Sequence, residues 1–223
     1  MGAISGLFYR DTNRTVSKAQ IKAMTDVLQH RGPNGEMQYT EANAGLGMRG
    51  WTDEWSDDPR EFRMCFSTKR HGDIFVLLDG EIYNAPELRE KLDDADWECQ
   101  TEFDAEVLAG LYDLYGLDQM FPMLRGKFAI AIWEPKTHTL TLARDPMGQK
   151  PLYLYQDAEK LVFASVDRSP HCTQMHYMKH EIERTLKDHV PVQSFVVAEG
   201  KLVPVPDAAI ELSKSLGKLA NMV

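Results

Sequence analysis

Only three cysteines, Cys65, Cys99 and Cys172, occur in the 223 residues, and they are scattered along the chain. So sparse and odd a set does not form a disulfide framework and suits a reducing compartment. Basic residues are also in deficit, with 25 Lys and Arg against 34 Asp and Glu, for a formal charge of −9. That balance argues against broad contact with nucleic acid or anionic membrane, and no basic patch with interleaved aromatics offsets it. There is no apolar run long enough to span a bilayer, and no basic stretch followed by an apolar one at the N-terminus. Internal repeats and low-complexity segments are absent. The expectation is a cytoplasmic protein with neither a nucleic-acid nor a membrane partner.

What is present is enough for a sizeable core, with 43% hydrophobic residues over a length that fits one domain or one domain with an appendage. Ala3 to Tyr9 reads as a strand that starts almost at residue one, in the simplest case a well-tied edge strand. Val16 to Gln29 carries Ile21, Met24, Val27 and Leu28 at helical spacing, starts at Ser17, and ends before a Gly/Pro turn, His30 to Gly35. Short strands are expected at Ala44 to Gly50 and, at a sheet edge, Phe62 to Ser67, with Lys69 to Gly72 as the following turn. Ile74 to Leu78 reads as a buried strand broken at Asp79-Gly80, with Asn84 capping a helix that has Pro86 and Glu87 in its first turn. Asp104 stands as an N-cap for a helix running through Tyr115, with Gly116 just past its end. Phe128, Ile130 and Ile132 alternate onto one face of a strand, and further strands are expected at Leu140 to Ala143 and Leu161 to Ser165. In the tail, Phe195 to Val197 and Lys201 to Val205 flank Glu199-Gly200 as a hairpin, and Ala208 to Leu219 reads as a short amphipathic helix. The expected organisation is a domain over residues 1–205 and a C-terminal helix, 206–223, docking on the domain or on a partner. Cys172, His176 and His180 lie four apart, so a helix would place them on one face with ligand types suited to Zn²⁺. No fourth ligand is evident, and neither a metal nor a cofactor is expected.

Several of these segments match one pattern in order. Asp79-Gly80-Glu81-Ile82-Tyr83-Asn84 resembles the N-G-E-I-Y-N unit of class II glutamine amidotransferase domains, such as the one that opens asparagine synthetases. His30-Arg31-Gly32-Pro33-Asn34-Gly35 resembles H-R-G-P-[DN]-G, which implies a sheet strand at Gln38 to Thr40, and Asp104 with Glu106-Val107 resembles the end of G-[ST]-D-x-E-V. Leu124 to Ala129, Arg144 to Tyr153 and Phe163 to Ser165 resemble L-x-G-x-F-A, R-D-x-x-G-x-K-P-L-Y and F-A-S-E, with Val166 in place of the final Glu. The resemblance covers residues 3 to about 165. It implies an α+β fold, the four-layer αββα sandwich of N-terminal-nucleophile hydrolases. It also implies that Arg49 holds the α-carboxylate of glutamine and Asp104 its α-ammonium, with His30 and Arg31 structural. Guanidinium geometry suits that carboxylate task. No S-G-G-x-D-S pyrophosphate motif follows, so the expectation is a free-standing domain.

Two departures bear on the chemistry. The family pattern opens M-C-G-I-x-G and uses the cysteine as nucleophile; here Met1-Gly2-Ala3-Ile4-Ser5-Gly6 stands in its place. Gly2 offers neither thiol nor hydroxyl, and loss of a nucleophile costs on the order of a millionfold in turnover. The family's oxyanion-binding Asn is replaced by Asp79, and removing such a donor costs roughly a hundred- to a thousandfold. The expectation is a catalytically inactive domain that binds an amino-acid-like ligand, glutamine foremost, or a separate synthetase or amidotransferase subunit. Its expected ligand-binding residues are Arg49, Asp79, Gly80, Asp104 and Gly2, with the Gly2 amine pairing with Asp79. The alternative is an active amidotransferase or amidohydrolase subunit using a non-standard group, such as Asp79 with the Gly2 amine.

Overall fold

The computed structural model describes residues 2–50, 63–166, 195–198 and 201–204. Cys172, His176 and His180, and the helix expected at Ala208 to Leu219, lie outside the described residues. The chain divides into two compact units, Met1–Asp53 with Pro151–Val192, and Glu54–Lys150 with Gln193–Val223. Each is an antiparallel sheet with helices, so the class is α+β.

In the first unit the strands are β1 (Ala3–Tyr9), β2 (Gly35–Glu41), β3 (Ala44–Gly50), β8 (Tyr153–Gln156) and β9 (Lys160–Ala164), ordered β2-β3-β1-β9-β8. Thus β1 is not an edge strand but the middle one, paired on one side with β3 and on the other with β9. Every residue of β1 is buried, and ladder bonds on both sides hold a segment that would otherwise fray. Helix α1 (Lys18–Val27) begins as its sequence predicts: Ser17 accepts from the Gln20 amide while the Gln20 side chain reaches back to the Ser17 amide. This reciprocal box satisfies two amides that helix formation leaves bare. Ile21 and Val16 pack with Leu7, Tyr9 and Val162. His30 lies in a short 3₁₀ turn, its Nδ1 3.1 Å from the Val27 carbonyl.

In the second unit the strands are β4 (Cys65–Thr68), β5 (Gly72–Ile82), β6 (Gly126–Glu134), β7 (Thr139–Arg144), β10 (Phe195–Ala198) and β11 (Lys201–Pro204), ordered β11-β10-β7-β6-β5-β4. The short strand β4 lies at the edge, as expected, and β10 and β11 pair as the expected hairpin. Helices α2 (Ala85–Asp93) and α3 (Asp104–Met123) cover one face, burying Leu88, Leu92, Val107, Leu108 and Leu111 against Val76, Leu78 and Ile82 of β5 and Phe128, Ile130 and Ile132 of β6. Each such side chain contributes about 1.5–3 kcal/mol on burial. Gly116 (φ 70°) breaks α3, and a second helical piece follows it that the sequence did not announce.

Two local expectations are corrected. Asn84 stands before α2 but makes no cap hydrogen bond; its amide instead donates to the Met123 carbonyl and accepts from the Arg125 amide. Strand β5 does not break at Asp79-Gly80 but continues to Ile82 in register with β6, with Asp79 opposite Ala129 and Gly80 opposite Phe128. A continuous ladder with β6 outweighs the turn preference of an Asp-Gly pair.

Candidate functional site

Asp79 sits on β5 with no solvent exposure. By strand alternation it faces away from the layer that buries Leu78 and Ile82 under α2 and α3. Its Oδ1 accepts from Lys150 Nζ at 2.5 Å, and Lys150 is itself 5% exposed. A charge partner was expected for Asp79 in the Gly2 amine; within its own unit Lys150 is a charge partner.

The loop that delivers Lys150 is built on Asp145, a buried residue at the end of β7. Its carboxylate accepts from the backbone amides of Phe128 (3.2 Å), Gln149 (2.9 Å) and Lys150 (2.9 Å), and its own amide donates to the Phe128 carbonyl. Three amides on one carboxylate fix the turn that follows β7, and so fix where the lysine stem starts. Gly80, next to Asp79, has φ +145°, and a Cβ there would stand 2.0 Å from the Lys127 carbonyl oxygen. The close approach of β6 to β5 therefore requires glycine at this position.

Asp104 is the first residue of α3, with Phe103 in the capping position, so Asp104 is not the N-cap. Its Oδ2 instead accepts from the Ile82 amide at 2.9 Å, tying the start of α3 to the end of β5. Burial pushes the Asp104 carboxyl above the ordinary range, against the Ile82 hydrogen bond and the Arg89 charge, with Glu81 and Glu102 adding repulsion. An ammonium group beside it would relieve that cost. The loop before α3 is held by Glu106, whose carboxylate accepts from the amides of Gln100 and Thr101 and from the Thr101 hydroxyl.

Gly2 and Arg49 belong to the first unit. Ala3 is registered against Arg49, and a Cβ on Gly2 would lie 2.6 Å from the Arg49 carbonyl oxygen. The Arg49 guanidinium, 6% exposed, donates through Nε to the Thr25 carbonyl and through Nη2 to Asp26 Oδ1 and Glu36 Oε2, each at 3.0 Å. The sequence presents Arg49 as a holder of a ligand carboxylate; in the structure it already holds two carboxylates of its own unit. Lys150, Asp145 and Glu106 were not singled out beforehand. The signal for Lys150 was the replacement of a neutral Asn by Asp79, which demands a cation nearby if it is buried.

Three comparisons bear on this arrangement. The glutamine amidotransferase domain family matches residues 1–200. Asparagine synthetase [glutamine-hydrolyzing] 1 of Bacillus subtilis is 34% identical over 152 residues, covering 67% of this chain and 23% of the relative. Asparagine synthetase [glutamine-hydrolyzing] 2 of the same organism is 30% identical over 167 residues, covering 73% of this chain and 21% of the relative. The chain thus spans less than a quarter of the length of these two relatives. Among solved structures, the allosteric regulatory enzyme of purine biosynthesis superposes with a TM-score of 0.71 at 17% identity, over 91% of this chain and 48% of that one. The glutamine phosphoribosylpyrophosphate amidotransferase from Bacillus subtilis gives 0.66 at 16%, with the same coverage. At that identity the structural likeness carries the fold alone, and it agrees with the α+β, N-terminal-nucleophile hydrolase type implied by the sequence. No helix among the described residues is long and apolar enough to cross a membrane. With the family match over residues 1–200 and the motifs on β5, α3 and the loop to Lys150, this chain belongs to the class II glutamine amidotransferase domain family.

Proposed function

We propose that this domain binds an amino-acid-like ligand without hydrolysing it, and acts beside a cytoplasmic synthetase or amidotransferase that supplies the remaining chemistry. The observation that carries this reading is residue 2. Gly2 stands where the family pattern has its nucleophilic cysteine, and a Cβ there would press on the Arg49 carbonyl oxygen. The change to Asp79, engaged by Lys150, supports the same reading, because a carboxylate does not donate to a developing oxyanion. The names of the relatives, glutamine-hydrolysing asparagine synthetases, support a synthetase as the kind of partner.

Ligand residues are assigned on chemistry. Asp104 takes the α-ammonium, which relieves the cost of its buried charge. Arg49 of the first unit is proposed as a carboxylate holder on the chemistry of its guanidinium alone, by exchange with Asp26 or Glu36. The distal group meets Asp79, beside Gly80. The test is ammonia release from glutamine by the purified protein, which should not exceed the blank. Release that disappears in Gly2→Ala refutes the reading in favour of an active amidohydrolase. Calorimetric titration tests the binding half: no amino acid bound at millimolar concentration leaves only a structural role.

A further inference from the structure

Arg89 of α2 is the one charged side chain among the described residues with a buried nitrogen that lacks a hydrogen-bond partner. Its Nη1 donates to the Thr101 carbonyl at 2.6 Å, while its Nη2 is out of water and unpartnered. A dry guanidinium nitrogen without an acceptor costs stability, so the bond to Thr101 alone does not account for arginine here. A side-chain amide makes that bond without burying a charge. The Cys99 thiol lies near the same guanidinium, but burial outweighs it and pushes the thiol up to about 11, so it stays protonated and offers no counter-charge. The carboxylate that feels Arg89 is Asp104, tied to the end of β5 by the Ile82 amide. The other charges acting on Asp104 are Glu81 at the end of β5, itself 3.3 Å from Lys127 Nζ, and Glu102 in the loop before α3.

From this arrangement we infer that Arg89 is a positioning residue: tethered to Thr101, it supplies the positive field in which Asp104 stays an anion, ready for a ligand's ammonium group. The inference rests on the reading that Asp104 takes the α-ammonium. Arg89 does not touch the ligand; it acts through Asp104. Its tether is short because Glu106 holds the same stretch from the other side, through the Gln100 and Thr101 amides. Without Arg89, Asp104 is left half-buried with Glu81 and Glu102, and takes up a proton at a higher pH. A neutral acid still accepts from an ammonium, but without the charge that makes the contact strong.

Calorimetric titration of the full chain with glutamine, at several pH values from about 4.5 to about 8, tests this. In the unaltered protein affinity should fall as the solution is taken into the carboxyl range. Arg89→Gln keeps a donor for the Thr101 carbonyl and removes the charge, so the midpoint of that fall should move up by about one pH unit. Arg89→Lys keeps the charge and should bring the midpoint back. Hydrogen exchange at the Gln100 and Thr101 amides, which Glu106 holds, should be little changed in Arg89→Gln. Thermal unfolding of each variant establishes that it is folded at the titration temperature. An unmoved midpoint in folded Arg89→Gln, or a moved one that Arg89→Lys does not bring back, overturns the inference and leaves the ligand reading intact. Affinity lost equally at every pH, with faster exchange at Gln100 and Thr101, overturns it in favour of a loop tie alone. No glutamine bound by the unaltered protein at any pH overturns both.

Discussion

Arg49 Nη2 lies 3.0 Å from Glu36 Oε2, so that the guanidinium on β3 is bridged to β2 by an acid of the same sheet. Burial opposes the ionised form of Glu36, but hydrogen bonds from Thr25 and Gln38 and the charge of Arg49 outweigh it, and the carboxyl sits below its usual range. A lowered folded pKa stabilises the fold above the unfolded pKa, and that contribution is lost as pH falls through the folded value. Glu36→Gln should therefore destabilise the protein by about 1 kcal/mol at pH 7, with hydrogen bonds to a charged group discounted for partial exposure. The difference should shrink towards zero as the solution is taken below the carboxylate range, as read by urea denaturation at several pH values.

Asp104 has the opposite sign. Its folded pKa is raised by burial, so the stability it contributes is complete below the unfolded pKa and is lost as pH rises through the folded one. Asp104→Asn keeps an acceptor for the Ile82 amide and removes the buried charge. The variant should melt higher than the unaltered protein at pH 7 and equally with it near pH 3, below the usual carboxyl pKa of about 3.9. Its affinity for an α-amino acid should fall tenfold or more in the same buffer, because the ammonium loses its counter-charge.

Tyr112 donates to Glu134 Oε2 at 2.9 Å, while His71 Nδ1 lies 3.2 Å from the other oxygen and the His71 ring stacks on Tyr112. Burial, then the Glu134 charge, pushes the Tyr112 phenol well above its ordinary range, keeping it a donor throughout the accessible pH span. Tyr112→Phe leaves Glu134, 5% exposed, short of one donor. The expected loss is about 1–3 kcal/mol in chemical denaturation, with ligand affinity unchanged.

Asp145→Ala strips three backbone amides of their acceptor at once. Water entering the gap recovers part of the loss, and a net destabilisation of about 3 kcal/mol is expected. Hydrogen exchange at Gln149 and Lys150 should quicken more than at the β5–β6 ladder. Equal quickening throughout would mean that Asp145 supports the whole sheet rather than the loop carrying Lys150.

Local signals were legible in the sequence where local physics decides. The start of α1 at Ser17 and the alternation of Phe128, Ile130 and Ile132 follow from neighbours a few residues apart. Tertiary pairing was not so visible. The Asp79-Gly80 pair looked like a turn because its own preferences favour one, but the β6 ladder fixes it as strand. Asp104 looked like a cap because its position in the sequence suits one, but the Ile82 amide claims it. Of the proposed ligand residues, Arg49 and Asp79 were found by motif, while their partners Glu36 and Lys150 were not. Lys150 lies 71 residues from Asp79, and no periodicity connects them.

The contact between residue 2 and the Arg49 carbonyl has the character of a ratchet. The first strand and its neighbour have closed to a spacing that only a hydrogen atom on that α-carbon satisfies, with 2.6 Å where an ordinary carbon contact needs well over 3 Å. Substituting cysteine for Gly2 supplies a thiol but no room for it, so it fits only if the backbone of β3 moves as well. A side chain at this position therefore takes at least two changes, one at residue 2 and one that shifts β3.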